Sequence, residues 1–161
     1  MILEKDFEDF VRLLNKHKVD YMVVGGYALA LHGRPRHTGD LDIWINISEA
    51  NAGKVLKVIK EFGMSSLGLK KDDFLKPGYI SQIGYPPLRI DILNSIDGVE
   101  FSEASKEIQE MDLGEGVVIR YIGLSAFLRN KEASARKQDI ADIREIKKLL
   151  STKRNRRPDK K

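Results

Sequence analysis

The chain has 161 residues, 42% apolar and 32% charged, with no cysteine, which gives enough material for one domain with a core and excludes disulfides and thiolate metal sites. The formal charge of +4 is local: Thr152 to Lys161 hold six Lys/Arg and one Asp, and taking these from totals of 28 and 24 leaves 22 basic against 23 acidic residues. A surface-wide basic face is therefore excluded, and the basicity belongs to the C-terminal run.

In chain order, the first element is a helix over residues 4–18. Phe7, Phe10, Val11 and Leu14 recur at helical spacing with Lys, Asp and Glu between them. The opening "MILEKDFEDF" carries charges inside its apolar pattern, so it does not read as a signal peptide. No apolar run approaches the ~20 residues of a membrane helix, and a cytoplasmic protein with no membrane partner is expected. "YMVVGG" (Tyr21 to Gly26) reads as a buried strand ended by glycines, and "YALALHG" as a short helix stopped by Gly33 and Pro35. "DLDIWIN" alternates, with Leu41, Ile43 and Ile45 on one side and Asp40, Asp42, Trp44 and Asn46 on the other. Ser48 is placed to cap a helix whose stripe is Val55, Leu56, Ile59 and Phe62, stopped by Gly63. "YISQIG" and "PLRIDIL" are two strands; in the second, Leu88, Ile90 and Ile92 face one way, Arg89 and Asp91 the other. "GVVIRYIG" is a later strand, followed by a helix from about Ser125 and a longer one containing "IADIREIKKLL". With no repeat and no Gly/Ser linker, this order predicts one α/β (α+β) domain over 1–150, a mixed sheet flanked by helices. Residues 151–161 are expected to be a basic, disordered tail.

The chemistry is concentrated between Val23 and Asn46. Alternate strand residues point the same way about 6.5–7 Å apart. Asp40 and Asp42 thus present two carboxylates that repel by roughly 2.5 kcal/mol at an effective dielectric near 20. A cation between them removes that cost, and hard oxygen ligands with open positions suit Mg²⁺ shared with substrate phosphates. Asp91, on a separate strand, is the natural third ligand, and three carboxylates can hold two ions. Just upstream, strand, Gly25-Gly26 and helix form a pattern in which glycine lets phosphates approach the backbone.

"GGYALALHGRPRHTGDLDIWI" resembles the nucleotidyltransferase superfamily that includes DNA polymerase β and the aminoglycoside and lincosamide nucleotidyltransferases. The family pattern is Gly-Gly or Gly-Ser, about a dozen residues, Asp-x-Asp and a distant strand Asp, here Gly25, Gly26, Asp40, Asp42 and Asp91. The chain is most similar to small bacterial members of the abortive-infection toxin type. It shares the Arg/Thr-rich run before the Asp pair (Arg34, Arg36, Thr38) and the late helix "KEASARKQDIADI", with Lys131, Arg136, Lys137, Asp139 and Asp142. Gln138 departs from the pattern, in which a basic residue often runs straight into the Asp.

The resemblance implies transfer of a nucleoside monophosphate from an NTP to an acceptor, with release of pyrophosphate. Catalytic and metal roles fall to Asp40, Asp42 and Asp91 with Mg²⁺ (Mn²⁺ as alternative), and nucleotide-binding roles to Gly25, Gly26 and Lys131. The acceptor stays open among small molecule, tRNA and protein. The competing reading is a non-catalytic member that binds nucleotide or a partner protein, as in a toxin–antitoxin pair. A third is a nucleic-acid module acting through the tail, which lacks interleaved aromatics for base stacking.

For several residues a plainer role stands beside the chemical one. Lys131 is read either as a phosphate contact or as solvated, and so are Arg34 and Arg36. Arg89 shares a face with Asp91 and is placed to pair with it. Trp44 either stacks on a base or packs in the core, His37 is a polar loop residue, and His17 and His32 close helices.

Overall fold

The computed structural model describes residues 3–34, 38–134 and 136–155. Arg36, His37 and residues 156–161, most of the basic run, lie outside the described residues. Among the described residues, no helix is long and apolar enough to cross a membrane.

Helix α1 (Lys5–Lys16) buries Phe7, Phe10, Val11 and Leu14, the stripe its periodicity defines, with acids in its first turn and Lys16 in its last. Strand β1 (Tyr21–Val24) is buried along its whole length, as an interior strand covered on both faces must be. The helix after it begins two residues earlier than the sequence indicates: α2 (Gly25–Leu31) starts at the first glycine. Gly25 has φ +71°, a left-handed conformation at no steric cost only for glycine.

Strand β2 (Asp40–Ile45) leads through Ser48 into α3 (Glu49–Glu61), and the Ser48 hydroxyl accepts the Asn51 N–H at 3.0 Å, the expected cap. Strands β3 (Ile80–Tyr85) and β4 (Leu88–Leu93) form a hairpin. A single turn, α4 (Phe101–Ala104), then precedes β5 (Gln109–Asp112) and β6 (Val118–Tyr121). Helices α5 (Leu124–Ser134) and α6 (Lys137–Asn155) close the fold. The last helix continues four residues past Ser151, where the sequence suggests a tail. Lys153 lies in these final turns, where a cation suits the carbonyl end of a helix.

The six strands make one mixed sheet in the order β3-β4-β2-β1-β6-β5. β2 pairs with β4 and β1 with β6 in parallel, while β1–β2, β3–β4 and β5–β6 are antiparallel. Leu41, Ile43 and Ile45 of β2 are fully buried, as their side of the alternation requires. Trp44, on the opposite side with the aspartates, is only 1% exposed and packs edge-on against Phe101 of α4, ring centroids 5.0 Å apart. The stacking role for Trp44 is therefore replaced by a core role.

Candidate active site

The central parallel pair fixes the acidic patch. Asp42 stands level with Asp91, and Asp40 level with Arg89. Register partners in adjacent strands project to the same face, so two strands far apart along the chain gather three aspartates on one patch. Beside it opens a cavity of about 680 Å³, and Gly25, Gly26, Asp40, Asp42, Asp91 and Lys131 all line it. The structure thus brings together the six residues to which the sequence reading gives catalytic, metal or nucleotide-binding roles.

The Asp42 backbone sits in the ladder between β1 and β4, but its side chain makes no hydrogen bond or ion pair among the described residues. Burial, then the charges of Asp91 and Asp40, push its pKa up to about 7, against the pull of Lys131 and Arg89. Asp91 differs: only 8% exposed, it is held at both oxygens by Arg89. Arg89 Nε donates to Asp91 Oδ1 at 2.7 Å and Nη2 to Oδ2 at 3.0 Å, a bidentate pair, while Nη2 also donates to Asp40 Oδ2 at 3.1 Å. The pairing of Arg89 with Asp91 follows the sequence reading; its reach to Asp40 needs the β2–β4 register.

The glycines act by clearance. A Cβ on Gly25 would collide with Oδ2 of Asp42, so a side chain here displaces that carboxylate. A Cβ on Gly26 would come within 3.1 Å of the Thr38 side chain. Because α2 has only seven residues, its macrodipole is short, and the turn contributes chiefly by bringing backbone close to Asp42.

Lys131 reaches the cavity from α5 and is 8% exposed, so the solvated reading does not hold. Its Nζ lies 3.2 Å from Asp139 Oδ1 and 3.4 Å from Asp142 Oδ2. Asp139 also accepts from Ser134 Oγ at 2.5 Å, the Arg136 backbone N–H at 3.0 Å and the Arg136 guanidinium at 3.3 Å. Burial raises the Asp139 pKa, but the bonds from Ser134, Arg136 and Lys131 outweigh it and hold the carboxyl at about 2. The late Lys…Arg…Asp…Asp run is thus a buried ionic joint between α5 and α6 that points one ammonium at the acidic patch.

Other candidates fall away from the patch. Arg34 pairs with Glu145 at 3.2 Å, His17 with Glu61 at 2.9 Å, and His32 Nε2 lies 2.7 Å from the Ile122 carbonyl oxygen. The sequence reading missed Asp97 and Asn130, which also line the cavity. Neither sits in a motif, and the packing of α5 against the loop after β4, where the Asn130 side-chain amide donates to the Asp97 carbonyl at 3.0 Å, brings them there.

The carboxylates suit a hard divalent cation in part. Asp42 is an uncompensated acid opposite a second carboxylate, which is the chemistry such an ion neutralises. The complete set is not gathered: among the described residues, no three His, Asp or Glu side chains are arranged to hold a metal ion, and Arg89 engages two of the three aspartates.

A mixed sheet that carries a strand–Gly-Gly–helix turn, an Asp-x-Asp strand and a third aspartate on the neighbouring parallel strand defines a nucleotidyltransferase fold. The chain belongs to the family described as "Nucleotidyl transferase of unknown function (DUF2204)", whose model matches residues 4–160. Among curated proteins, none matches the chain. Similar solved structures share the fold at low identity. A nucleotidyltransferase of Thermotoga maritima, TM1012, is 16% identical with a TM-score of 0.56, over 91% of each chain. ANT(2")-Ia in complex with adenylyl-2"-tobramycin is 14% identical with a TM-score of 0.60, over 92% of this chain and 89% of that one. The lincosamide antibiotic adenylyltransferase LnuA, lincomycin-bound, is 17% identical with a TM-score of 0.55, over 92% of this chain and 98% of that one.

Proposed function

We propose that this protein transfers a nucleoside monophosphate from an NTP to an acceptor hydroxyl. The observation that carries this reading is the level placement of Asp42 and Asp91 at a cavity bounded by Gly25-Gly26 and Lys131. In the reaction, the acceptor oxygen forms a new bond to the α-phosphorus, the bond from that phosphorus to the β-bridging oxygen breaks, and pyrophosphate leaves. The acceptor proton passes to Asp91 or to water.

Asp40, Asp42 and Asp91 are the residues that would hold Mg²⁺ or Mn²⁺. Bound there, the ion supplies neutralisation of the triphosphate and of the entering oxygen. Gly25 and Gly26 admit the phosphates to the backbone, and Lys131 sets a positive charge beside them. Because two similar structures are named for adenylyl products or adenylyl transfer, ATP is the first NTP to test. The grip of Arg89 on two of the three aspartates favours a second reading, a member that binds nucleotide without transferring it.

Calorimetry with Mg²⁺ and each NTP on wild type, Asp42→Asn and Asp91→Asn tests the assignment. The expected result is lost binding for Asp42→Asn and largely retained binding, with no transfer, for Asp91→Asn. Equal nucleotide binding by all three proteins contradicts it.

A further inference from the structure

The three-aspartate patch already holds a cation of its own. Arg89 lies on the same strand face as Asp91, one register row from Asp42, and its guanidinium spans Asp40 and Asp91 with three hydrogen bonds of 2.7–3.1 Å. Its backbone N–H donates to the Gly39 carbonyl at 3.1 Å, which anchors the residue at the entry to β2. A second cation at the cavity, Lys131, is engaged by Asp139 and Asp142. Among the described residues, Arg89 is the ion-paired partner of these carboxylates, and without it they would share one patch unpaired.

We propose that Arg89 is a resident counter-ion that competes with the divalent cation for Asp40 and Asp91, and so sets how tightly the site holds metal before nucleotide arrives. Both oxygens of Asp91 are engaged by the guanidinium, and a dication on the same oxygens meets a fixed positive charge at close range. The carboxylates therefore form a complete ligand set only when Arg89 gives up Asp40 and part of Asp91. The fork is well suited to this. It holds the acids in place in the resting protein, and its side chain is about one-quarter exposed (26%), so it borders solvent into which it can turn. Arg89 is thus a positioning residue, acting through the aspartates. The inference rests on the metal-dependent reading above.

Mn²⁺ titration followed by electron paramagnetic resonance, without nucleotide, tests it on wild type, Arg89→Gln, Arg89→Lys and Asp91→Asn. Arg89→Gln is expected to bind Mn²⁺ at least ten-fold more tightly than wild type. Arg89→Lys, which keeps the charge but loses the fork, is expected to fall between them, and this arm decides if the Gln variant does not fold. Metal-free Arg89→Gln is expected to melt below wild type and to gain more from Mn²⁺ than wild type does. A purely structural arginine predicts the opposite sign, with looser metal binding once it is removed. Wild type binding Mn²⁺ with Arg89→Gln or Arg89→Lys no tighter, while Asp91→Asn loses it, overturns the inference and leaves the metal reading standing. No Mn²⁺ binding by wild type or either Arg89 variant, with or without ATP, overturns both.

Discussion

Asp42→Asn in metal-free buffer isolates the electrostatic cost of the acidic patch. The side chain keeps its shape and loses one charge. In the folded protein, burial and the neighbouring Asp91 and Asp40 raise the Asp42 pKa from 3.8 to about 7. Below pH 4 the group is protonated in both folded and unfolded chains, and the substitution changes little. As pH rises toward 7, the unfolded chain ionises while the folded one retains its proton, so wild type loses stability that the variant keeps. A gap of about 3 pH units sets a ceiling of about 4 kcal/mol. Asp42 borders an open cavity, and solvent screening reduces this to about 1–2 kcal/mol. For a domain of this size that is a rise in Tm of about 2–8 °C. Thermal melts of both proteins in EDTA, from pH 5 to pH 8, measure it. The variant is expected to gain on wild type across that range. A variant no more stable at pH 8, or with a gain that does not change with pH, refutes the reasoning.

Gly25→Ala is expected to lower Tm and to abolish nucleotide binding together, because the new Cβ strains a φ of +71° and displaces Asp42; retained ATP affinity by calorimetry contradicts the clearance role. Asp139→Asn is expected to cost about 2–4 kcal/mol by urea unfolding at pH 7, since Lys131 is then left with Asp142 as its acid. The Asp139 pKa is depressed, so this contribution is present above pH 4 and is lost as pH falls toward about 2, where variant and wild type should converge.

The halves of the site differ in how much of them the sequence discloses. Strand, Gly-Gly, helix and Asp-x-Asp strand lie within about two dozen consecutive residues, where turn chemistry and period-two alternation specify the geometry locally. The Ser48 cap is legible for the same reason. That Asp91 stands level with Asp42, and Arg89 with Asp40, is a matter of register between parallel strands joined by a long crossover, which no local pattern encodes. The burial of Trp44 depends on Phe101, in a one-turn helix too short to show periodicity. Strand β5 reads "QEMD", mostly exposed at the sheet edge, and only its pairing with β6 makes it a strand.

The most direct test of the central claim follows the α-phosphate. ATP labelled at the α-phosphorus is incubated with the protein, Mg²⁺ and cell extract, beside the same reaction with Asp91→Asn and one with γ-labelled ATP. Transfer of a nucleoside monophosphate predicts covalent α-label on an extract molecule with wild type but not with Asp91→Asn, while the γ-label, which leaves in pyrophosphate, is incorporated no more by wild type than by Asp91→Asn. Covalent γ-label incorporated by wild type above the Asp91→Asn level, or α-label incorporated equally by wild type and Asp91→Asn, contradicts it.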